Sequence, residues 1–115
     1  MNDDSYDEAE VLKRYLAIRV KFLMTEFERR SLYLAIKREK AKADESSADR
    51  LPRWLAQETE EVRQASLAGQ VAIRRAIEDR IYREHGVNRC PQCHRIVRTP
   101  LARQCRWCGH DWHGT

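Results

Sequence analysis

Cys90-Pro91-Gln92-Cys93 and Cys105-Arg106-Trp107-Cys108-Gly109 decide how the end of this chain folds. The two C-x-x-C pairs are separated by 11 residues, lie within the last 26 of 115, and hold every cysteine of the sequence. A C-x-x-C turn brings two sulfurs close enough to share one tetrahedral ion, and two such turns supply four ligands that suit Zn²⁺ at about 2.3 Å per Zn–S bond. The spacing therefore predicts a tetrathiolate metal site of Cys90, Cys93, Cys105 and Cys108 that holds one structural zinc ion.

Other uses of four cysteines fit the surrounding residues less well. Two disulfides need an oxidising compartment, and the opening MNDDSYDEAE has neither the basic n-region nor the apolar h-region of a signal peptide. A thioredoxin-like redox pair sits at the start of a helix within a βαβ unit, a pattern absent around both Cys90 and Cys105. Four thiolates also bind iron, as in rubredoxin-like sites, and geometry alone leaves that alternative open. Apolar runs are only a few residues long, too short for a membrane span. Free thiolates point to a reducing cytoplasm.

From about Asn88 to His113 the chain resembles the family of short four-cysteine zinc ribbons. Such modules look like C-P-x-C, a short hairpin with alternating apolar residues, a small residue, and C-x-x-C-G. The matching residues are Cys90-Pro91-Gln92-Cys93, Ile96 and Val97, Ala102, and Cys105-Arg106-Trp107-Cys108-Gly109. The resemblance implies metal binding and a small ribbon, and implies no particular activity, because these ribbons accompany proteins that bind nucleic acid, proteins or neither. His94 departs from it, standing where such turns commonly carry glycine. Histidine tolerates a positive φ better than most non-glycine residues.

A module of this size buries too little apolar surface to offset its conformational entropy. Metal binding must then supply the folding energy, on the order of 10 kcal/mol in small zinc peptides. Trp107, Trp112, Ile96, Val97 and Leu101 are the large apolar groups available around the thiolates. The two tryptophans read either as this miniature core or as a stacking platform for a base or an anchor for a partner. His94, His110 and His113 also crowd the cluster, and imidazole is a good zinc ligand. Four thiolates already close a structural site, which leaves the histidines as loop or supporting residues and argues against catalysis by the metal.

Residues 87–115 carry five arginines, Arg89, Arg95, Arg98, Arg103 and Arg106, against the single Asp111. Arginine offers a planar fork that meets phosphate or carboxylate bidentately and stacks on aromatic faces. Arg95, Arg98, Arg103 and Arg106, interleaved with Trp107 and Trp112, thus form a candidate surface for RNA, single-stranded DNA or an acidic protein. The plain alternative is a solvated, arginine-rich face. The net charge of +4 is uneven, since residues 1–10 carry five carboxylates, Asp3, Asp4, Asp7, Glu8 and Glu10, and the rest is +9. This acidic start suits a helix N-terminus. A sharper reading has it folding back on the basic tail and competing with an anionic ligand.

The remaining three quarters read as helix. Between about Asp7 and Lys42 there is no proline or glycine, and apolar residues recur at helical spacing: Val11, Tyr15, Ile18 and Phe22 in one row, Leu12, Leu16, Leu23 and Phe27 in another. The stretch 43–51 loses its apolar members and predicts a connector, with Pro52 in the first turn of a second helix. From Trp54 the spacing of Leu55, Val62, Ala65, Gly69, Ala72 and Ala76 predicts a small-residue seam over which Phe22, Phe27 and Tyr15 pack. Ile73, Ile77 and Ile81 form an adjoining row. Gly69 either permits close helix contact or breaks the helix, and the continuous helix is the expectation. His85-Gly86 ends it.

The expected architecture is mainly α: residues 1–86 form a long antiparallel hairpin of coiled-coil type, and 87–115 the four-cysteine zinc ribbon. Two helices make a thin core, so a homodimeric four-helix bundle or docking onto a larger protein partner is expected to cover the apolar arc. The sequence lacks a Gly-rich phosphate loop, a nucleophile elbow and paired carboxylates distinct from helix-surface charge. The expectation is a binding protein, with no enzyme activity, no small-molecule substrate and no membrane. Its partner is a protein, through helical docking, or RNA or DNA, through the arginines and a tryptophan.

Overall fold

Asp7 starts the first helix of the computed structural model, which describes residues 5–114. Its side chain accepts the N–H groups of Ala9 and Glu10, two of the donors that a helix start leaves without intrahelical partners. Asp3 and Asp4, part of the expected acidic arm, lie outside the described residues. Helix α1 runs Glu8–Leu23, and four more follow: α2 Glu26–Ala43, α3 Glu45–Ala56, α4 Glu60–Ser66 and α5 Gln70–His85. The chain is mainly helical as expected, with no strand among the described residues. Five helices replace the two long ones that the apolar spacing predicted.

Each break has a local cause. Thr25 caps α2 through a reciprocal box: its hydroxyl accepts the Glu28 N–H, and the Glu28 carboxylate accepts the Thr25 N–H. That box stops the helix expected to run through to Lys42 and resets its register. Phe22 and Phe27, expected to pack over a partner helix, remain exposed. Asp44 ends α2 and caps α3, accepting from the Ser46 N–H and the Ser47 hydroxyl. The expected connector at 43–51 is therefore mostly helix, and Pro52 lies inside α3 rather than in a first turn. Thr59 caps α4 through the Val62 N–H. Gly69 has φ +90, a conformation that L side chains resist, and it separates α4 from α5. The continuous second helix is thus corrected. Gly86, at φ +65, ends α5 as expected.

The chain forms two compact units: Leu23–Asp79, and Met1–Phe22 together with Arg80–Thr115. A boundary after residue 86 was expected, but the first helix groups with the cysteine-bearing tail. Within Leu23–Asp79, α2 packs against α3 and α4. Its core includes Leu32, Leu34, Ala35, Val62 and Ile77. Arg63 binds the α3–α4 connection by donating to the carbonyls of Leu55 and Glu58, and Arg38 donates to the buried Ser66 hydroxyl. The buried stripe of α5 is Ile73, Ile77 and Ile81, while Ala72 and Ala76 are exposed. Aliphatic bulk, and not a small-residue seam, faces the core.

Candidate metal centre

The two cysteine turns are built alike. In the first, Cys90 N–H donates to the Arg95 carbonyl at 2.9 Å, His94 N–H to the Cys90 carbonyl at 2.9 Å, and Val97 N–H to the Asn88 carbonyl at 3.0 Å. In the second, Cys105 N–H donates to His110 at 2.8 Å, Gly109 N–H to Cys105 at 3.0 Å, and Trp112 N–H to Arg103 at 2.9 Å. Isolated antiparallel bridges Arg89–Ile96 and Gln104–Asp111 close the two loops. His94 and Gly109 occupy the same place and both have positive φ, 63 and 81. The amide of Asn88 reaches the carbonyls of Thr99, Pro100 and Ala102, pinning the link between the turns.

The turns bring all four sulfurs together. Ligand atoms of Cys90, Cys93, Cys105 and Cys108 lie within 4.8 Å of one another. Across the turns, Cys90 Sγ is 3.6 Å from Cys108 Sγ, and Cys93 Sγ is 3.6 Å from Cys105 Sγ. A tetrahedral ion with bonds of about 2.3 Å requires sulfurs roughly 3.8 Å apart. A disulfide requires about 2.05 Å, and all four cysteines are free. The group can hold one metal ion.

The electrostatics of the sulfurs differ from turn to turn. Burial opposes ionisation of Cys90, but the N–H groups of Cys93 and Gln92, aimed at its sulfur, bring its pKa down to about 7. At Cys108 the His110 N–H favours the thiolate, yet desolvation and hydrogen bonding with the three other thiols push the pKa up to about 12. The Cys108 thiol is thus held in its neutral form by its crowded neighbours. A cation among the sulfurs reverses that preference, and a coordinating thiol is deprotonated outright.

Around the sulfurs lies a small core of Cys90, Val97, Cys105 and Trp107, with Tyr6, Val11, Ala102 and Trp112 packed against it. Trp107 is 6% exposed, and its indole N–H donates to the Ile96 carbonyl at 3.2 Å. Tyr6 meets it edge-on at 4.8 Å, and the Arg106 guanidinium lies over its ring at 4.8 Å. Of the two roles open to Trp107, the structure gives it the core. Trp112 is half-buried and stacks on His110, whereas Leu101 is 88% exposed and takes no part.

None of the three histidines joins the sulfur group among the described residues. His94 is exposed at its turn, and His113 pairs with Asp111 at 2.6 Å. Arg95 lies over the Tyr6 ring at 5.4 Å. Arg98, Arg103 and Arg106 share the wall of a shallow hollow whose lining contains no carboxylate residue.

Sequence reasoning missed Tyr6 and Tyr15, which tie the start of the chain to the cysteine turns, whereas contact between the acidic start and the basic tail was among its readings. Tyr6 accepts the Ile96 N–H at 3.1 Å, and Tyr15 accepts the Asn88 N–H at 3.1 Å. Glu8 grips Arg89 through two bonds of 3.1 and 2.8 Å. The available signal was a tyrosine standing alone in an acidic run. Comparison with known proteins finds no matching family model, curated relative or solved structure.

Proposed function

We propose that this chain is a non-enzymatic zinc protein, akin to the short four-cysteine zinc ribbons, that acts as a protein-interaction adaptor. The observation that carries the metal assignment is the convergence of four thiols at tetrahedral spacing around space for one ion. Zinc is preferred to iron because it is the usual ion of closed four-cysteine structural sites and brings no redox chemistry of its own. Four thiolates leave no coordination position for water, so the ion organises the fold and does not activate a nucleophile.

The adaptor reading is supported by apolar side chains left at the surface. Ile18 is 53% and Phe22 78% exposed on α1, and Leu67 and Val71 are 61% and 65% exposed elsewhere. Exposed aliphatic and aromatic groups of this kind mark protein contacts more often than phosphate contacts. The second reading, nucleic-acid binding, draws on the hollow walled by Arg98, Arg103 and Arg106. It is weakened by the burial of Trp107, which removes one of its two stacking rings. Membrane insertion has no support, as no helix of the described residues is long and apolar enough to cross a membrane.

Two measurements test this. Elemental analysis of protein purified under reducing conditions is expected to find one zinc per chain, and iron or no metal at stoichiometric level sinks the assignment. A mobility-shift titration with mixed RNA and DNA at two salt concentrations is expected to show no shift. A shift that weakens steeply with salt transfers the function to the second reading.

A further inference from the structure

We infer that the cleft between α1 and the cysteine turns is a docking site for a protein segment that carries a large apolar side chain beside carboxylates. The inference deepens the adaptor reading and rests on it. The cleft has a volume of about 330 Å³. Val11, Ile18, Ile96 and Val97 contribute its apolar lining, and Arg14, Arg98 and Arg106 its cationic one. Every one of these residues belongs to the same compact unit.

The apolar side is continuous with exposed surface on α1. Val11, Ile18 and Phe22 are spaced seven and four residues apart, which places them on one helical face. Isoleucine at 53% and phenylalanine at 78% exposure leave that face largely uncovered by the described residues. The space suits one large side chain and its neighbours, near the small end of ordinary ligand sites.

Charge decides the occupant. Arg14, Arg98 and Arg106 make no ion pair with any carboxylate among the described residues. Two acids also line the cleft, Asp7, whose carboxylate caps α1, and Glu10, so three arginines face two carboxylates and the lining keeps a net positive charge. The same Arg98 and Arg106 continue into the hollow with Arg103, so positive charge extends beyond the cleft on that side. An apolar anchor flanked by aspartate or glutamate satisfies both features. A nucleobase satisfies neither as well, because Tyr15 and Trp107, the aromatic residues of the lining, are both buried and offer no open ring face for stacking.

The test pans a random dodecapeptide phage library on the zinc-loaded full chain, with an Arg14→Glu/Arg98→Glu variant as counter-selection. Enriched peptides are expected to pair Asp or Glu with Leu, Ile, Phe or Trp. In fluorescence anisotropy, their affinity is expected to fall by ~10-fold or more in that variant and in Ile18→Asp, as the loss of two ion pairs or one buried apolar contact implies. Both variants must retain one zinc and the wild-type circular dichroism, which separates failure of this inference from failure of the metal assignment. Enrichment of peptides without acids, equal binding by both variants, or no enrichment overturns it. So does competition by mixed RNA that displaces the peptides, or sedimentation showing a dimer that an Ile18→Asp substitution dissociates.

Discussion

The hydroxyl of Tyr6 accepts the backbone N–H of Ile96 at 3.1 Å, joining positions 90 residues apart in the chain. Ile96 is fully buried, so its N–H has no water to turn to, and an unpaired buried donor costs about 1–3 kcal/mol. Tyr6→Phe is expected to destabilise the zinc-loaded protein by about that amount in urea denaturation. Tyr6→Ala also removes the edge-on contact with Trp107, worth about 0.5–1.5 kcal/mol beyond area burial, and is expected to cost more. Equal stability of wild type and Tyr6→Phe would show that this bond contributes nothing.

Glu8 and Arg89 form the second tie between the start of the chain and the cysteine turns. Hydrogen bonds from Arg89, and then from Tyr6, lower the Glu8 pKa from 4.5 to about 2. A depressed carboxyl pKa stabilises the folded state fully above the unfolded value and loses that contribution as pH falls toward 2. The side chains are 51% and 36% exposed, and solvent screening reduces the pair to about 0.2–1 kcal/mol. Glu8→Gln should therefore lower the melting temperature slightly and by a constant amount between about pH 8 and 5. The difference should shrink in molar salt. A gap that changes through neutral pH assigns the effect to another group.

His94 and Gly109 hold the same position in the two turns with φ of 63 and 81. At Gly109 a β-carbon would meet no atom within 4 Å, so substitution there tests backbone conformation alone. Gly109→Ala is expected to cost about 1–2 kcal/mol, the usual penalty for an L residue in this region. His94→Gly is expected to be neutral or stabilising by less than about 1 kcal/mol, because glycine relieves strain but enlarges the unfolded ensemble. Thermal melts of the zinc-loaded variants compare the two. A His94→Gly variant as destabilised as Gly109→Ala would refute the equivalence of the turns.

Thr25 shows what the sequence pattern concealed. Apolar residues recur without interruption from Val11 to Ile36, and neither proline nor glycine intervenes, so the spacing reads as one helix. The stop is polar and local: Thr25-Glu26-Phe27-Glu28 is a capping-box signature, and Asp44 and Thr59 also start helices by accepting backbone N–H groups. Such caps satisfy donors at a helix start and leave hydrophobic periodicity untouched. Thr25→Ala should cost about 1 kcal/mol in denaturant titration, and no change would mean that Met24 and Thr25 stay non-helical for another reason. The grouping of the four cysteines, by contrast, was legible from spacing alone, because each C-x-x-C fixes sulfur geometry within one short turn. Of the docking of α1 on them, the ties made by Tyr6 and Tyr15 were not legible, since they bind groups 90 and 73 positions away, whereas the opposite charges of the start and the tail did suggest the contact that Glu8 makes with Arg89.

That docking makes the consequence of metal removal larger than the tail itself. Without the ion, four thiols at Cys90, Cys93, Cys105 and Cys108 lose their common partner, and on the order of 10 kcal/mol of folding energy goes with it. The cysteine turns then give up the Ile96 and Asn88 N–H groups that Tyr6 and Tyr15 accept. Helix α1 has 16 residues, a length at which helices isolated in water are marginal. It should fray together with the tail. The unit Leu23–Asp79 keeps a core of its own in Leu32, Leu34, Val62 and Ile77. Chelation, or Cys105→Ser at a buried ligand, is accordingly expected to abolish the near-ultraviolet signal of Trp107 and reduce the helical signal only in part. Hydrogen exchange should show protection lost over residues 8–22 and 87–114 and kept over α2. Loss of protection throughout would mean that the helical unit depends on the metal as well, and retention throughout would mean that the sulfurs organise nothing.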